Sequence, residues 1–507
     1  AQERKPIYRL LHHYNSLSNK MDNSLLAVRD INHKYIVVGK EAILMNTCNF
    51  NGLTGRVVTP DDPYYHELRQ VYNRAVQKFP LAIVYCRNHE DVSNAVLWSQ
   101  KNHVCLRIRN GDHNYEGYST GDNVLDIDLS EMNQLAIDED AHLLHVQGGV
   151  TNKQLYEFVS SKGYPFPGGT CPSVGVGGYA LGGGFGLSSR YFGLGCDNLL
   201  EICMVNYEGC IINANSQENA DLFWACRGAG GGNFGVVVSM TFRLPQKVNK
   251  VTLIDIRYPH ADQEKQSLFL LTWQDWLKDA DQRITLISRI YNDLFEGLAI
   301  IARGIFYGPP ELALGIIAPL LELGGVKYSL KYVTFLEAVT IIGDFYPPFE
   351  KFKSASRFAV RDFSSCESLN IAGLIKERAQ GSVYASISFY ALGGKVAEVD
   401  VDETAFFYRN ANFIVWLDTV FEDHRCKNAA WVAEKFNYLE SVTNGSYVNF
   451  PYACLPCYLE EYYGTHVCRL KKVKEKYDPF NIFTFPQGIG EFYNMDFTAS
   501  RCCNLSW

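Results

Sequence analysis

No run of 18 apolar residues occurs in this 507-residue chain, so no membrane-spanning helix is expected. The most apolar candidate, residues 312–321, is too short and contains Pro319. No long basic cluster is present and the net charge is −8, which argues against nucleic acid or an anionic membrane surface as the main partner. The first eight residues, A-Q-E-R-K-P-I-Y, lack the apolar core of a secretory leader. There is no phosphate-cradling P-loop sequence. The 15 cysteines are odd in number and thinly spread, unlike a disulfide scaffold. Mostly reduced thiols and a cytoplasmic setting are therefore expected. Cys454-Leu-Pro-Cys457 has CxxC spacing but no second pair to complete a zinc site, so no metal is expected.

What is abundant is glycine in one place. Residues 165–186 read P-F-P-G-G-T-C-P-S-V-G-V-G-G-Y-A-L-G-G-G-F-G, with nine glycines in 22 residues and Cys171 among them. Such a run makes a poor helix or strand and suits backbone wrapped round a flat or anionic group. Val174, Val176, Tyr179, Leu181 and Phe185 distinguish it from a flexible linker.

Around this stretch the pattern is regular. Residues 1–55 read as a weakly structured lead-in. Strands are expected at 81–86, 105–109 and 124–129, and helices at 89–102 and 151–162, the alternation of an α/β layer. After the second strand comes R-N-G-D-H-N-Y-E-G-Y-S, residues 109–119, in which Gly111 and Gly117 flank His113. Backbone N–H groups of such a loop can form an anion nest at the strand end, where α/β sheets bind ligands. A hairpin is expected at 199–213, and Asn215 with Glu218 resembles a capping box for a helix to residue 226. Gly230-x-Gly232-x-x-Gly235 spells the dinucleotide fingerprint, but a helix precedes it and a strand follows. The nicotinamide-binding motif needs the opposite order, so that reading is rejected.

The character changes near Leu244-Pro245. From there to about residue 445, β-type runs at 284–291, 299–306, 328–334, 383–390 and 413–420 alternate with helices at 262–278, 311–323, 367–378 and 427–439. In 383–390 the residues Tyr384, Ser386, Ser388 and Tyr390 share one face. Thr285, Arg289 and Tyr291 share one face of 284–291. Such a face is either the roof of a substrate pocket or simply solvated. The tail carries S-Y-V-N-F, a helix at 458–476, and K-Y-D-P-F-N-I-F-T-F-P-Q, where Asp478-Pro479 stops the helix.

These motifs together resemble the berberine-bridge-enzyme-like branch of the FAD-linked oxidases, the vanillyl-alcohol-oxidase superfamily, from about residue 55 to 489. The resemblance implies an α+β fold with three segments. Residues 1–245 would form an FAD-binding α/β domain, 246–445 a substrate domain whose antiparallel sheet is covered by helices, and 446–507 would return to the first domain. It implies FAD attached twice, through His113 and Cys171; the competing reading is a single bond through His113. Cofactor contacts are implied at Arg109, Asn110, Gly111, Asp112, Asn114, Ser119, Gly168, Thr170, Val174, Gly177, Gly178, Gly182, Gly235, Val237 and Asn449. A neutral imidazole and a thiolate are suitable nucleophiles for such links.

The sequence departs from the family pattern twice. S-Y-V-N-F ends in Phe450 where relatives with a base there have tyrosine, so proton removal falls to Tyr447, a phenol further back on the same expected strand, or to Asp418. Asp112 replaces the glycine usual before the flavin-linked histidine, and its carboxylate would hold the imidazole tautomer or face solvent. Val174, where the family gates oxygen, resembles the oxidase variant. The expected reaction is two-electron oxidation of an alcohol or related C–H centre of a small molecule, with O2 reduced to H2O2. Trp416, Tyr390, Tyr291 and Tyr384 would stack on a substrate ring. A carbohydrate oxidase and a flavin-binding protein without turnover are the alternatives.

Overall fold

The computed structural model describes residues 49–490 and two further strands, Leu26–Arg29 and Tyr35–Val38, which pair antiparallel. The rest of the expected lead-in, and residues 491–507 of the expected C-terminal segment, lie outside the described residues. Residues 1–52 form a small unit of their own; the unit beginning at Leu53 carries the three larger sheets.

The first of these sheets has four strands. Ala82–Tyr85 and Leu106–Arg109 both run parallel to Leu125–Asp128, and Arg56–Val58 adds an antiparallel edge. Helix His89–Lys101 makes the crossover that parallel strands require, capped by the Asn88 side chain, which accepts from Asp91 N–H. The second sheet has five antiparallel strands: Leu135–Asp138, Leu143–Gln147, Leu199–Val205, Ile211–Asn215 and Val236–Arg243. The α/β alternation therefore covers only the first sheet. The glycine-rich stretch leaves helix Asn152–Ser160 and, against expectation, holds the short helix Val176–Leu181. Three glycines with positive φ follow it, Gly183, Gly184 and Gly193.

The third sheet has seven antiparallel strands, all drawn from residues 251–421, with Ile284–Asp293, Ser382–Ala391 and Phe413–Phe421 side by side near one end. Its period-two alternation sorts the faces. Ala385, Ile387 and Phe389 are buried in the core with helices Gln263–Asp279, Ser365–Leu374 and Arg425–Val442. The opposite face carries Tyr384, Ser386, Ser388 and Tyr390 in register with Asp418, Trp416 and Arg289. Ser386 and Ser388 are wholly buried, so this part of the face is a roof and not a solvated surface.

Three local expectations change. The capping box at Asn215 is an Asx turn: its side chain accepts from Gln217 and Glu218 N–H, and the helix begins at Ala220. The helix at 458–476 is broken at Gly464 (φ +51°) into Tyr458–Tyr463 and Val467–Tyr477. S-Y-V-N-F is a turn, closed by Phe450 N–H donating to Tyr447 O at 2.9 Å, and not a strand. Cys454 is disulfide-bonded while Cys457 is free, so the CxxC is no dithiol pair. Among the described residues no helix is long and apolar enough to cross a membrane.

Candidate active site

One cavity of about 310 Å³ is bounded by residues of all the motifs that carry the family resemblance. Strand Leu106–Arg109 ends at its edge, and the loop that follows supplies Asn110 to Tyr115 and Ser119. The glycine-rich stretch supplies Gly169 to Cys171, Val174, Gly175 and Gly177 to Tyr179. The turn at 230–235 and the tail residues Thr484 and Phe485 close the same end. The roof supplies Tyr390 and Trp416, and the segment leading into strand Phe352–Ala359 supplies Tyr346 and Glu350. A buried clasp joins the parts: Glu116 pairs with Lys353 at 2.5 Å and accepts from Ala453 N–H at 3.0 Å.

His113 and Cys171 meet on one wall, with Cys171 Sγ 3.9 Å from His113 Nε2. Ser173 Oγ lies 2.8 Å from the same nitrogen, and the Tyr72 ring stacks on the imidazole at 4.1 Å. Among the described residues, His113 Nδ1 has no hydrogen-bond partner. Burial lowers the His113 pKa to about 4, so the ring is neutral at neutral pH and keeps a lone pair. Burial also raises the Cys171 thiol, although Ser173 opposes that. The sulfur is therefore a thiol, not the expected thiolate, until a base removes its proton.

Asp112 turns neither to the imidazole nor to solvent. It adopts φ +59°, the left-handed region that favours glycine and that Asp tolerates better than most residues. Its carboxylate grips Arg109 with two hydrogen bonds, of 2.9 Å to Nε and 2.6 Å to Nη2. Arg109 is buried and also pairs with Asp126 at 3.5 Å and Asp128 at 3.3 Å. Asp112 O in turn accepts from Tyr72 N–H at 3.0 Å, so this hub also anchors the residue that stacks on His113.

A flat, anionic group fits the remaining wall. Ser119 Oγ and Asn110 Oδ1 line the cavity, are buried, and have no hydrogen-bond partner among the described residues. A Cβ at Gly178 would meet nothing within 4 Å, and one at Gly231 or Gly232 would come no closer than 3.7 Å or 3.6 Å to any atom. These positions leave an open cradle. Other glycines in the expected contact set serve packing instead. A Cβ at Gly111 would overlap the Gly175 backbone, at Gly182 the Asn449 amide, at Gly235 the Met204 side chain, and at Gly168 the Tyr156 hydroxyl. Gly168 and Gly182 do not line the cavity, whereas Asn114, Thr170, Val174, Gly177, Val237 and Asn449 do.

The two bases expected from sequence sit differently. Tyr447 lines the cavity, but its oxygen accepts from Gly184 N–H at 2.9 Å and from Asn449 Nδ2 at 3.1 Å. Burial raises its pKa well above the ordinary phenol value. Asp418 lies on the roof face but does not line the cavity; its carboxylate accepts from Ser386 Oγ, and burial raises it to about 6. Tyr291 and Tyr384 stack on each other at 5.5 Å and are not part of the wall, while Tyr390 and Trp416 are. Sequence reasoning missed Tyr72, Tyr346, Glu350, Gly231 and Gly232. Only the two glycines carried a signal, as members of the R-G-A-G-G-G-N-F-G motif that contributes to the family resemblance.

Residues 80–215 match the family model described as "FAD binding domain", and residues 446–490 match "Berberine and berberine like". The uncharacterized FAD-linked oxidoreductase YgaK of Bacillus subtilis is 36% identical over 447 residues, covering 86% of this chain and 97% of its own. Reticuline oxidase of Eschscholzia californica is 26% identical over 511 residues, covering 90% and 93%. Among solved structures, BBE-like 1 of Physcomitrella patens superposes with a TM-score of 0.81 at 26% identity, covering 87% of this chain and 98% of that one. The carbohydrate oxidase of Microdochium nivale shares the fold, with a TM-score of 0.79 at 22% identity over 86% of this chain and 97% of that one. Fold and cavity are those of an FAD-dependent oxidoreductase, with a mixed α+β architecture in two domains. The chain belongs to the berberine-bridge-enzyme-like family.

Proposed function

We propose that this chain is an oxidase whose FAD is attached twice, to His113 and Cys171, and that it oxidises an alcohol or related C–H centre of a small molecule with O2 as acceptor, forming H2O2. The observation that carries the reading is the 3.9 Å approach of His113 and Cys171, from loops 58 residues apart, on the wall of the open glycine cradle. When bound, the flavin supplies hydride acceptance and reoxidation by O2. The chain's own residues do the rest. Ser173 holds His113 Nε2 and leaves Nδ1 as the nitrogen free to attach. Asn110, Ser119 and the backbone of the 230–232 turn would hold the cofactor's polar groups. Val174, on the same wall, would leave room for oxygen.

The substrate end is walled by Tyr115, Phe352, Tyr390, Trp416 and Phe450, with Tyr115 stacked on Phe450 at 5.3 Å. These rings favour a flat or cyclic substrate. Tyr447 accepts two hydrogen bonds and keeps its proton at neutral pH, so it serves as a donor that orients the substrate oxygen. With no phenol at Phe450, an aromatic or polycyclic metabolite fits this wall better than a sugar. The test is acid precipitation followed by a peroxide assay. Flavin remaining with the pellet, and H2O2 formed from an alcohol, support the reading; complete release of flavin refutes the double attachment.

A further inference from the structure

The oxidation of an alcohol needs a group that takes the hydroxyl proton. Phe450 cannot, Tyr447 is engaged as described, and Asp418 does not line the cavity and is held by Ser386. The wall carries two carboxylates, Asp112, which Arg109 engages through two hydrogen bonds, and Glu350. Glu350 lines the cavity, and its side chain makes no hydrogen bond or ion pair with any described residue. Its backbone, in contrast, is fixed on both sides: Glu350 N–H donates to Tyr72 O at 3.1 Å, and Glu350 O accepts from Arg74 N–H at 2.7 Å. Asn73 between them bonds to both backbone groups of Phe352, with its Oδ1 accepting at 3.2 Å and its Nδ2 donating at 3.1 Å. The bridge Asn73–Glu350 thus joins the segment that stacks on His113 to the edge of the roof. Nearby, Trp416 Nε1 is buried without a partner among the described residues, a donor left over for a ligand acceptor.

Resting on the oxidase reading above, we propose that Glu350 is the catalytic base of this enzyme. In the step, the substrate O–H bond breaks and its proton passes to the Glu350 carboxylate, which becomes a neutral acid. The C–H electron pair leaves with its hydrogen as a hydride to the oxidised FAD of the holoenzyme, and a carbonyl forms. One proton and one hydride leave the alcohol, which balances a two-electron oxidation. The groups that set the ionisation of Glu350 come from several elements. Burial raises it, Asp418 on strand Phe413–Phe421 raises it further, and Arg289 on strand Ile284–Asp293 lowers it, for a value of about 7. Tyr72 and Cys171 are close enough for the Glu350 charge to raise both. A base of that strength is matched to neutral pH.

The test uses flavinylated holoprotein with benzyl alcohol, coniferyl alcohol and cellobiose as anaerobic reductants. Glu350→Gln is expected to slow flavin reduction by about 100-fold or more, with substrate affinity and visible spectrum little changed. The acidic limb of the reduction rate near pH 7 disappears in Glu350→Gln, persists in Glu350→Asp, and moves to lower pH in Asp418→Asn, which removes a neighbouring negative charge. A second readout needs no substrate. The infrared difference spectrum of the holoprotein between pH 6 and pH 8 is expected to show loss of a carboxylic-acid band that is absent in Glu350→Gln. Wild-type reduction rates in Glu350→Gln, or a limb abolished by Tyr447→Phe instead, overturn the assignment. So does a Glu350 that is already ionised at pH 6. If the flavin is attached but none of the three reductants bleaches it, the oxidase reading fails on substrate, while the infrared result still decides whether Glu350 ionises near neutral pH as a base there must.

Discussion

Replacing Arg109 by methionine removes a cation that is paired with three carboxylates. Arg109 is 2% exposed and its guanidinium touches Asp112, Asp126 and Asp128, while Nη2 also donates to Leu68 O at 3.1 Å. Arg109, with Arg107 acting on Asp126, does not balance the three carboxylates in this largely buried hub. Burial pushes Asp126 up to about 7 and Asp128 to about 6, so part of that excess is neutralised by protons. Methionine fills similar volume, so the cavity term is small and the electrostatic term dominates. Breaking a buried pair by deleting one partner costs about 3–5 kcal/mol, and residual protonation of the aspartates keeps the loss within that range. Arg109→Lys keeps the charge but not the fork to Asp112, and is expected to cost about 1–2 kcal/mol. The loss reaches the site as well: with the fork gone, Asp112 has little to hold it at φ +59°, and Tyr72 and His113 lose their anchor. Urea unfolding of the purified holoprotein gives the stability change, and flavin fluorescence in a denaturing gel gives the attached fraction. If Arg109→Met falls within about 1 kcal/mol of the parent and keeps its full flavin content, the hub does not position His113 and this reasoning is wrong.

Denatured protein is expected to retain flavin; Cys171→Ala leaves one bond and His113→Ala/Cys171→Ala leaves none, as mass spectrometry of the denatured chain will tell. A Cβ at Gly178 meets nothing within 4 Å, so Gly178→Val is expected to fold with unchanged circular dichroism but, by filling the open cradle, to bind little flavin. Normal flavin loading of that variant would mean the cradle lies elsewhere. Asp126 carries a carboxyl raised to about 7, so its proton is held more tightly folded than unfolded. Its contribution to stability is therefore full below about pH 4 and is lost as pH rises through about 7. Asp126→Asn is expected to gain about 3 kcal/mol on the parent between about pH 5 and pH 8 in urea titrations, and no change in that difference would refute the shift.

Much of the site was legible because its parts are local. A histidine in a glycine-flanked loop and a cysteine among glycines are each fixed by a few neighbouring residues, and the strand periodicity of 383–390 set which side chains face the roof. The role of each glycine was not legible. Gly178 and Gly111 look alike in sequence, yet one opens onto the cavity and the other is closed by the Gly175 backbone, a loop contact across more than 60 residues. The same non-locality hid Asp112, whose conformation can be inferred locally but whose partner arginine is oriented by Asp126 and Asp128 on the next strand. Asp418 shows how periodicity can mislead. It lies on the same face as Trp416 and two residues from it, but it does not line the cavity, and its carboxylate is spent on Ser386. Glu350 had no signal at all, since it follows two prolines in an irregular segment and reaches the wall only because Tyr72 and Arg74 hold it there. Local rules thus found the groups that would hold the cofactor, whereas the groups that would handle the substrate are set by contacts between distant segments, which a single sequence does not display.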